Sequence, residues 1–416
     1  MKLVAFATVC AALCQQLACW SPRESALKPP LSRPNATSER PSQLTSPAPP
    51  GDKDPFMALQ TNEESAARYA NNARLELSAK LRSSRGYKSV LEEARRALLD
   101  VTRVDLLRSG GQRTFRLRKT PDRPVVALFL EEKGRERVLL APTPEDIEKH
   151  RVISNIFPSP TGRYVALVID ERGAEDPKIR IYDVEHDALL PDQVLGLRLD
   201  LLSWLPDSSG FVYTRRDRAR TGVDRLKDSV VVLHRLGAPP ESDSVVFERS
   251  WPGLEDVDEL TLPSIELATH ADLAVAWGRP RGVDPTIAVY VKPRAKLLER
   301  DVPWRRLATA ADDVTLALPT SEGVAMVRSR AGQRPELLVR RLDWPDARPV
   351  AVFEDGRVEA GVSTRSLIYF VSAEEGVHRV WSFSPRTNRL TELPLGFQAR
   401  VMALTPVGQS DSVTFS

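Results

Sequence analysis

Cysteine is confined to the first nineteen residues: Cys10, Cys14 and Cys19 are the only three in a chain of 416. Nothing after residue 19 can form a disulfide or a thiolate metal site, so the folded part relies on its core alone. The histidines, His150, His186, His234, His270 and His378, are scattered, and no pair has the H-x-x-x-H spacing of a helical metal site. No glycine-rich phosphate loop occurs. No metal ligand and no cofactor-binding residue is therefore assigned. There is no basic block either: 59 Lys and Arg are interspersed with 56 Asp and Glu, for a net charge of +3. That balance leaves no nucleic-acid footprint.

The nucleophile elbow Gly-x-Ser-x-Gly is also missing. Its glycines permit the strained turn that exposes a serine. The nearest match is Gly361-Val-Ser-Thr-Arg365, where Arg365 replaces the second glycine. A triad needs a later acid and then a histidine. Only His378 follows Ser363, and it falls in a predicted strand. Ser363 is read as part of an ordinary hairpin, and no catalytic residue is assigned. The acidic pairs Asp312-Asp313 and Glu374-Glu375 read as solvated turns.

What is present is 42% hydrophobic and 28% charged residues, ordinary for a globular protein with a sizeable core. Residues 1–19 read as a secretory signal peptide: Lys2, then a short apolar run to Leu13, interrupted at Gln15-Gln16 and too short to span a bilayer. Gln16-Leu17-Ala18-Cys19 resembles a bacterial lipobox, with Gln16 where leucine is usual. Cys19 is the candidate lipidation site, and simple cleavage nearby is the alternative. The expectation is an exported protein of the bacterial cell envelope, touching membrane only through such an anchor. Residues 20–53 are rich in Pro, Ser and Thr and poor in bulky apolar residues, so they read as a disordered tether.

Residues 54–102 read as a helical hairpin. Thr61-Asn-Glu-Glu64 has capping-box spacing. Behind it Ala66, Tyr69, Ala70, Ala73, Leu77 and Leu81 form one apolar stripe. Ser83 to Gly86 breaks the helix, and Ser89-Val-Leu-Glu92 is expected to open a second, with Leu91, Ala94, Ala97, Leu98 and Val101 inward. From residue 103 to 416 the helical period gives way to turn-then-strand units. Pro160 to Gly162 is a turn before a buried strand, and Ile179–Val184 alternates as a half-exposed partner. Leu202–Tyr213 repeats the plan, and weaker echoes follow at 264–277, 322–327, 366–371 and 377–383. Such repetition indicates an all-β protein, a β-propeller of about six to seven blades with the last one incomplete. Trp204, Trp277, Trp381 and Asp183 are read as architecture rather than chemistry.

Three segments carry a resemblance. Ser159 to Asp192 ends in Leu190-Pro-Asp192. Ser203-Trp-Leu-Pro-Asp-Ser-Ser-Gly-Phe-Val-Tyr-Thr-Arg215 follows. His234-Arg-Leu-Gly237 with Ser242-Asp243 is the most specific. In order and spacing they resemble the N-terminal propeller of the prolyl oligopeptidase family of serine peptidases. Asp54-Pro-Phe-Met-Ala-Leu59 is similar to that family's opening segment, with Ala58 where the family has tryptophan. The resemblance implies a substrate-gating propeller, and in the family the chain continues into an α/β-hydrolase domain bearing Ser, Asp and His. The expectation is a propeller truncated before that domain, inactive alone, and completed by a separate hydrolase domain. The alternative is an envelope-tethered scaffold that holds a peptide or protein partner.

Overall fold

The computed structural model describes residues 63–99, 103–120, 123–171, 176–220, 224–225, 227–280, 286–341, 349–354, 356–395, 400–401 and 403–415. The expected signal peptide, the tether, Cys19, the Thr61 cap and the segment 54–59 lie outside them. The described residues fall into two compact units, a helical pair and a ring of sheets.

The helical pair is α1 (Glu63–Ser83) and α2 (Tyr87–Leu99). The break falls where the sequence places it, at residues 84–86, with Gly86 at φ +87. The second helix starts two residues earlier than expected. Its first hydrogen bond runs from the Val90 N–H to the Gly86 carbonyl, so Ser89 lies inside the first turn rather than at a cap. Leu91 and Ala94 are half-buried, whereas Tyr69, Leu77 and Leu81 are exposed. Two helices alone do not cover the stripe of α1.

The ring holds six four-stranded sheets in simple up-and-down order, over residues 103–140, 151–194, 197–247, 262–308, 314–352 and 357–393. A seventh sheet, over residues 404–415, has two strands among the described residues. These are blades 1 to 7. The first strand of blade 7 (Leu404–Pro406) touches the first strands of both blade 6 (Arg357–Ser363) and blade 1 (Arg103–Gly110), which closes the circle. This is the expected propeller, with a short last sheet.

Apolar clusters lie between successive blades, from the 1–2 pair to the 6–7 pair. Each of blades 2 to 6 therefore buries both faces, and that corrects one expectation. The strand Lys178–Asp183 alternates in sequence but is not half-exposed. Ile179 and Ile181 enter the core shared with blade 3, while Tyr182 and Val184 enter the core shared with blade 1. The alternation sorts residues between two cores rather than between core and water.

Turns lock neighbouring blades together. Gly162 closes the turn after the first strand of blade 2 at φ +72, and a Cβ there would collide with the Gly110 carbonyl of blade 1. The Gly111 N–H donates to the Pro160 carbonyl at 3.0 Å, and Arg113 donates to the Gly162 carbonyl at 3.0 Å. Gly162→Ala is expected to lower stability by about 2–4 kcal/mol, combining left-handed strain with overpacking. A urea midpoint unchanged from the parent would refute this.

Candidate functional site: the axial cavity

The hairpins that join the first and second strands of successive blades meet around the axis, where side chains stitch them into a rim. Thr161 donates to Ser208 at 3.1 Å between blades 2 and 3. The Leu267 N–H donates to the Ser203 hydroxyl at 2.8 Å between blades 4 and 3. Ser363 of blade 6 donates to the Pro319 carbonyl of blade 5. Thr364 donates to Asp411 at 2.7 Å between blades 6 and 7, and Ser109 and Thr414 meet at 3.0 Å between blades 1 and 7. His270, on the hairpin of blade 4, passes over blade 5 to place Nε2 3.1 Å from Ser363 Oγ.

The rim and the first strands enclose a cavity of about 780 Å³ to which all seven blades contribute. Phe157, Leu202, Trp204 and Trp277 supply apolar wall. The charged or titratable wall residues are Arg108, Glu266, His270 and Arg365. Burial lowers the Arg108 guanidinium to about 10, and its recorded hydrogen bond is a long one, 3.5 Å to the Leu107 carbonyl. Burial also pushes the Glu266 carboxyl up to about 7. Among the described residues, Glu266 has no hydrogen-bond or ion-pair partner. His270 is lowered chiefly by burial, against the opposing charge of Asp411.

Ser363 is thus drawn to a histidine, but to His270 rather than to the later His378. The pair is not an activated nucleophile. The Ser363 hydroxyl spends its proton on the Pro319 carbonyl, so the imidazole Nε2 faces the lone pairs of the oxygen and has no proton to abstract. Gly361 shapes packing instead of an elbow: a Cβ there would press on Leu316, Leu318 and Phe370. His378 sits in a strand, as expected, and its Nδ1 accepts from the Val401 N–H at 3.2 Å. Asp312 caps a short turn with Thr309, and Asp313 and Glu375 adopt left-handed turn conformations, whereas Glu374 ends the strand Ile368–Glu374 rather than lying in the turn. Among the described residues, no group of three His, Cys, Asp or Glu is arranged to hold a metal ion.

The family-like segments meet elsewhere, between blades 2 and 3. His234, fully buried, places Nδ1 2.7 Å from Asp243 and Nε2 3.4 Å from Asp192. Tyr213 donates to Asp243 at 2.8 Å, and the Gly237 N–H donates to Asp192 at 2.8 Å. Burial works against a charged His234, but the hydrogen bond and charge of Asp243, with Asp192 behind it, raise its pKa above the ordinary histidine value. The cluster is sealed from solvent and latches the last strand of blade 2 (Ala188–Val194) to blade 3. Asp183 is a second anchor. Burial opposes its charge, yet hydrogen bonds from His186, Arg163 and two backbone N–H groups hold it down at about 2. Trp381 is a core residue that donates to Ser372, as its architectural reading implies; Trp204 and Trp277 also face the cavity.

Residues 61–252 match the family model described as the prolyl oligopeptidase N-terminal beta-propeller domain. The chain resembles the N-terminal propeller of prolyl oligopeptidases. Prolyl oligopeptidase A of Galerina marginata is 25% identical over 124 residues, which are 24% of this chain and 17% of that protein. Among solved structures, one from a study of two prolyl endopeptidases superposes with a TM-score of 0.71 at 19% identity, covering 86% of this chain and 53% of that one. Prolyl oligopeptidase B from Galerina marginata, bound to a 35-residue hydrolysis and macrocyclization substrate, superposes with a TM-score of 0.67 at 13% identity and the same coverages. The chain spans about half the length of these solved proteins. At such identities the structural match speaks for the prolyl oligopeptidase propeller fold.

Sequence reasoning left the cavity charges unassigned. The signal available was a charged residue on the first strand of a blade, ahead of its turn: Arg108 in Arg103–Gly110 and Glu266 in Leu262–Glu266.

Proposed function

We propose that this chain acts as the non-catalytic, substrate-gating propeller of a prolyl oligopeptidase-type serine peptidase, holding a peptide in its axial cavity while a separate hydrolase domain performs the chemistry. The observation that carries this reading is the cavity itself: a chamber walled by all seven blades, whose serine–histidine contact among the described residues has the Ser363 hydroxyl donating to the Pro319 carbonyl instead of to His270. The channel suits passage or retention of an extended chain, and the wall offers apolar surface with a few polar groups, the usual make-up of a ligand pocket. Purified protein is expected to leave a fluorogenic Pro-containing peptide uncleaved and to resist labelling by a fluorophosphonate. Covalent labelling at any serine would overturn the non-catalytic role. Adding a prolyl oligopeptidase hydrolase domain and finding neither complex formation nor Pro-specific cleavage would count against the gating role.

The same reading places the protein in the bacterial envelope, tethered through Cys19. The support is the leader and its lipobox-like Leu17-Ala18-Cys19. The intact mass of the mature amino terminus is expected to begin at Cys19 and to carry diacylglyceryl and acyl groups. An unmodified terminus would remove the anchor.

A further inference from the structure

Two charged residues without an oppositely charged partner among the described residues line this cavity. Arg108 stands on the first strand of blade 1 and Glu266 on the first strand of blade 4. Three steps apart in a ring of seven, they lie on walls as far from each other as the ring allows. Neither has an oppositely charged partner among the described residues. Other partly buried charges of this ring are paired: Arg113 meets Glu132, Arg328 meets Glu336, and Arg216 meets Asp176. Leaving a guanidinium and a carboxyl partly buried and unpaired costs stability, and such groups concentrate where a ligand will pair with them.

We infer that the axial cavity is a binding site for a short zwitterionic chain, a free peptide whose terminal carboxylate pairs with Arg108 and whose terminal ammonium pairs with Glu266. This rests on the peptide-holding role proposed above and adds to it a selection for free ends. A guanidinium accepts a carboxylate through two parallel N–H donors, a geometry that an amide end cannot match. The ammonium would supply the positive charge that Glu266 lacks. His270 and Arg365, the other charged or titratable wall groups, are committed differently: His270 to Ser363, and Arg365 to an exposed position at the rim. Between the two ends, Trp204, Trp277, Leu202 and Phe157 offer apolar wall to side chains without specifying them.

The test is calorimetric titration at pH 8 with tri-, tetra- and penta-alanine, each as the free peptide, the C-terminal amide and the N-acetyl form. At least one free peptide is expected to bind, with either block weakening it about tenfold, the loss of one charge-assisted pair. R108Q should abolish the preference for a free carboxylate and keep that for a free amine; E266Q should do the reverse. Thermal melting of both variants should match or exceed that of the parent, because each removes a charge that has no oppositely charged partner. Equal binding of free and blocked forms, or variants that change neither preference, would overturn the assignment of ends and leave the peptide-holding role standing. Absence of binding by every peptide would overturn both.

Discussion

Asp243→Ala is expected to destabilise the protein by about 3–5 kcal/mol, the range for removing one partner of a buried ion pair. The reason is what it leaves behind. His234 has no exposed surface, and its Nδ1 lies 2.7 Å from the Asp243 carboxylate. Without that carboxylate, only the longer contact to Asp192 at 3.4 Å supports the imidazolium, and the Tyr213 hydroxyl loses its acceptor. The imidazole would shed its proton or bury an uncompensated charge. The effect should be read in urea unfolding, and a loss below about 1 kcal/mol, the level of a surface pair, would refute the latch.

The same cluster sets a pH dependence. The His234 pKa is raised in the folded state. Its contribution is therefore complete below the unfolded value of about 6.5 and fades as pH rises through the higher folded value. Stability measured from pH 6 upward should fall in the parent, and the slope should flatten in His234→Gln. Asp183 acts at the other end of the scale. Its folded pKa of about 2 lies below the unfolded value, so its contribution persists above about pH 3.9 and is lost as pH falls through 2.

Trp304→Ala should be as damaging, about 3–5 kcal/mol. Trp304 is among the largest fully buried side chains and packs edge-on against Phe247, with ring centroids 5.3 Å apart. Its indole N–H donates to the Val246 carbonyl of blade 3 at 3.2 Å. It also forms one wall of a slot for Lys292, whose ammonium lies 4.7 Å from the Trp251 ring centre and 5.8 Å from that of Trp304. Burial lowers the Lys292 pKa against the charges of Asp301 and Glu299, and its hydrogen bond goes to the Glu299 carbonyl. Truncation would open a cavity, strand the Val246 acceptor and uncover a buried cation in one step. Trp304→Phe keeps most of the ring contact and should cost about 1–3 kcal/mol, chiefly the unpaired carbonyl. Equal losses for the two variants would show that packing area is not what Trp304 contributes.

The turns were legible because turn chemistry is local: Ser159-Pro-Thr-Gly162 needs a left-handed residue at its end whatever surrounds it. Helix breaks were legible for the same reason at Gly86, though the cap at Ser89 was displaced because the hydrogen-bond ladder starts from Gly86 itself. The segments Leu190-Pro-Asp192, Ser203–Arg215 and His234–Asp243 were recognisable one by one. Their convergence on a single buried histidine was not, because Asp192 and His234 are 42 residues apart in the chain.

Within residues 103–415, then, the order of residues by itself settled the all-β repeat, the turns that punctuate it and the kinship of its first half, since each depends on neighbours a few positions away. Tertiary structure alone decided which face of each strand meets which core, that Ser363 pairs with an earlier histidine and not a later one, and that Arg108 and Glu266 line one hollow. Those outcomes depend on closing the ring. Circular packing turns both faces of a blade inward, and brings to one axis residues that nothing in the linear chain relates.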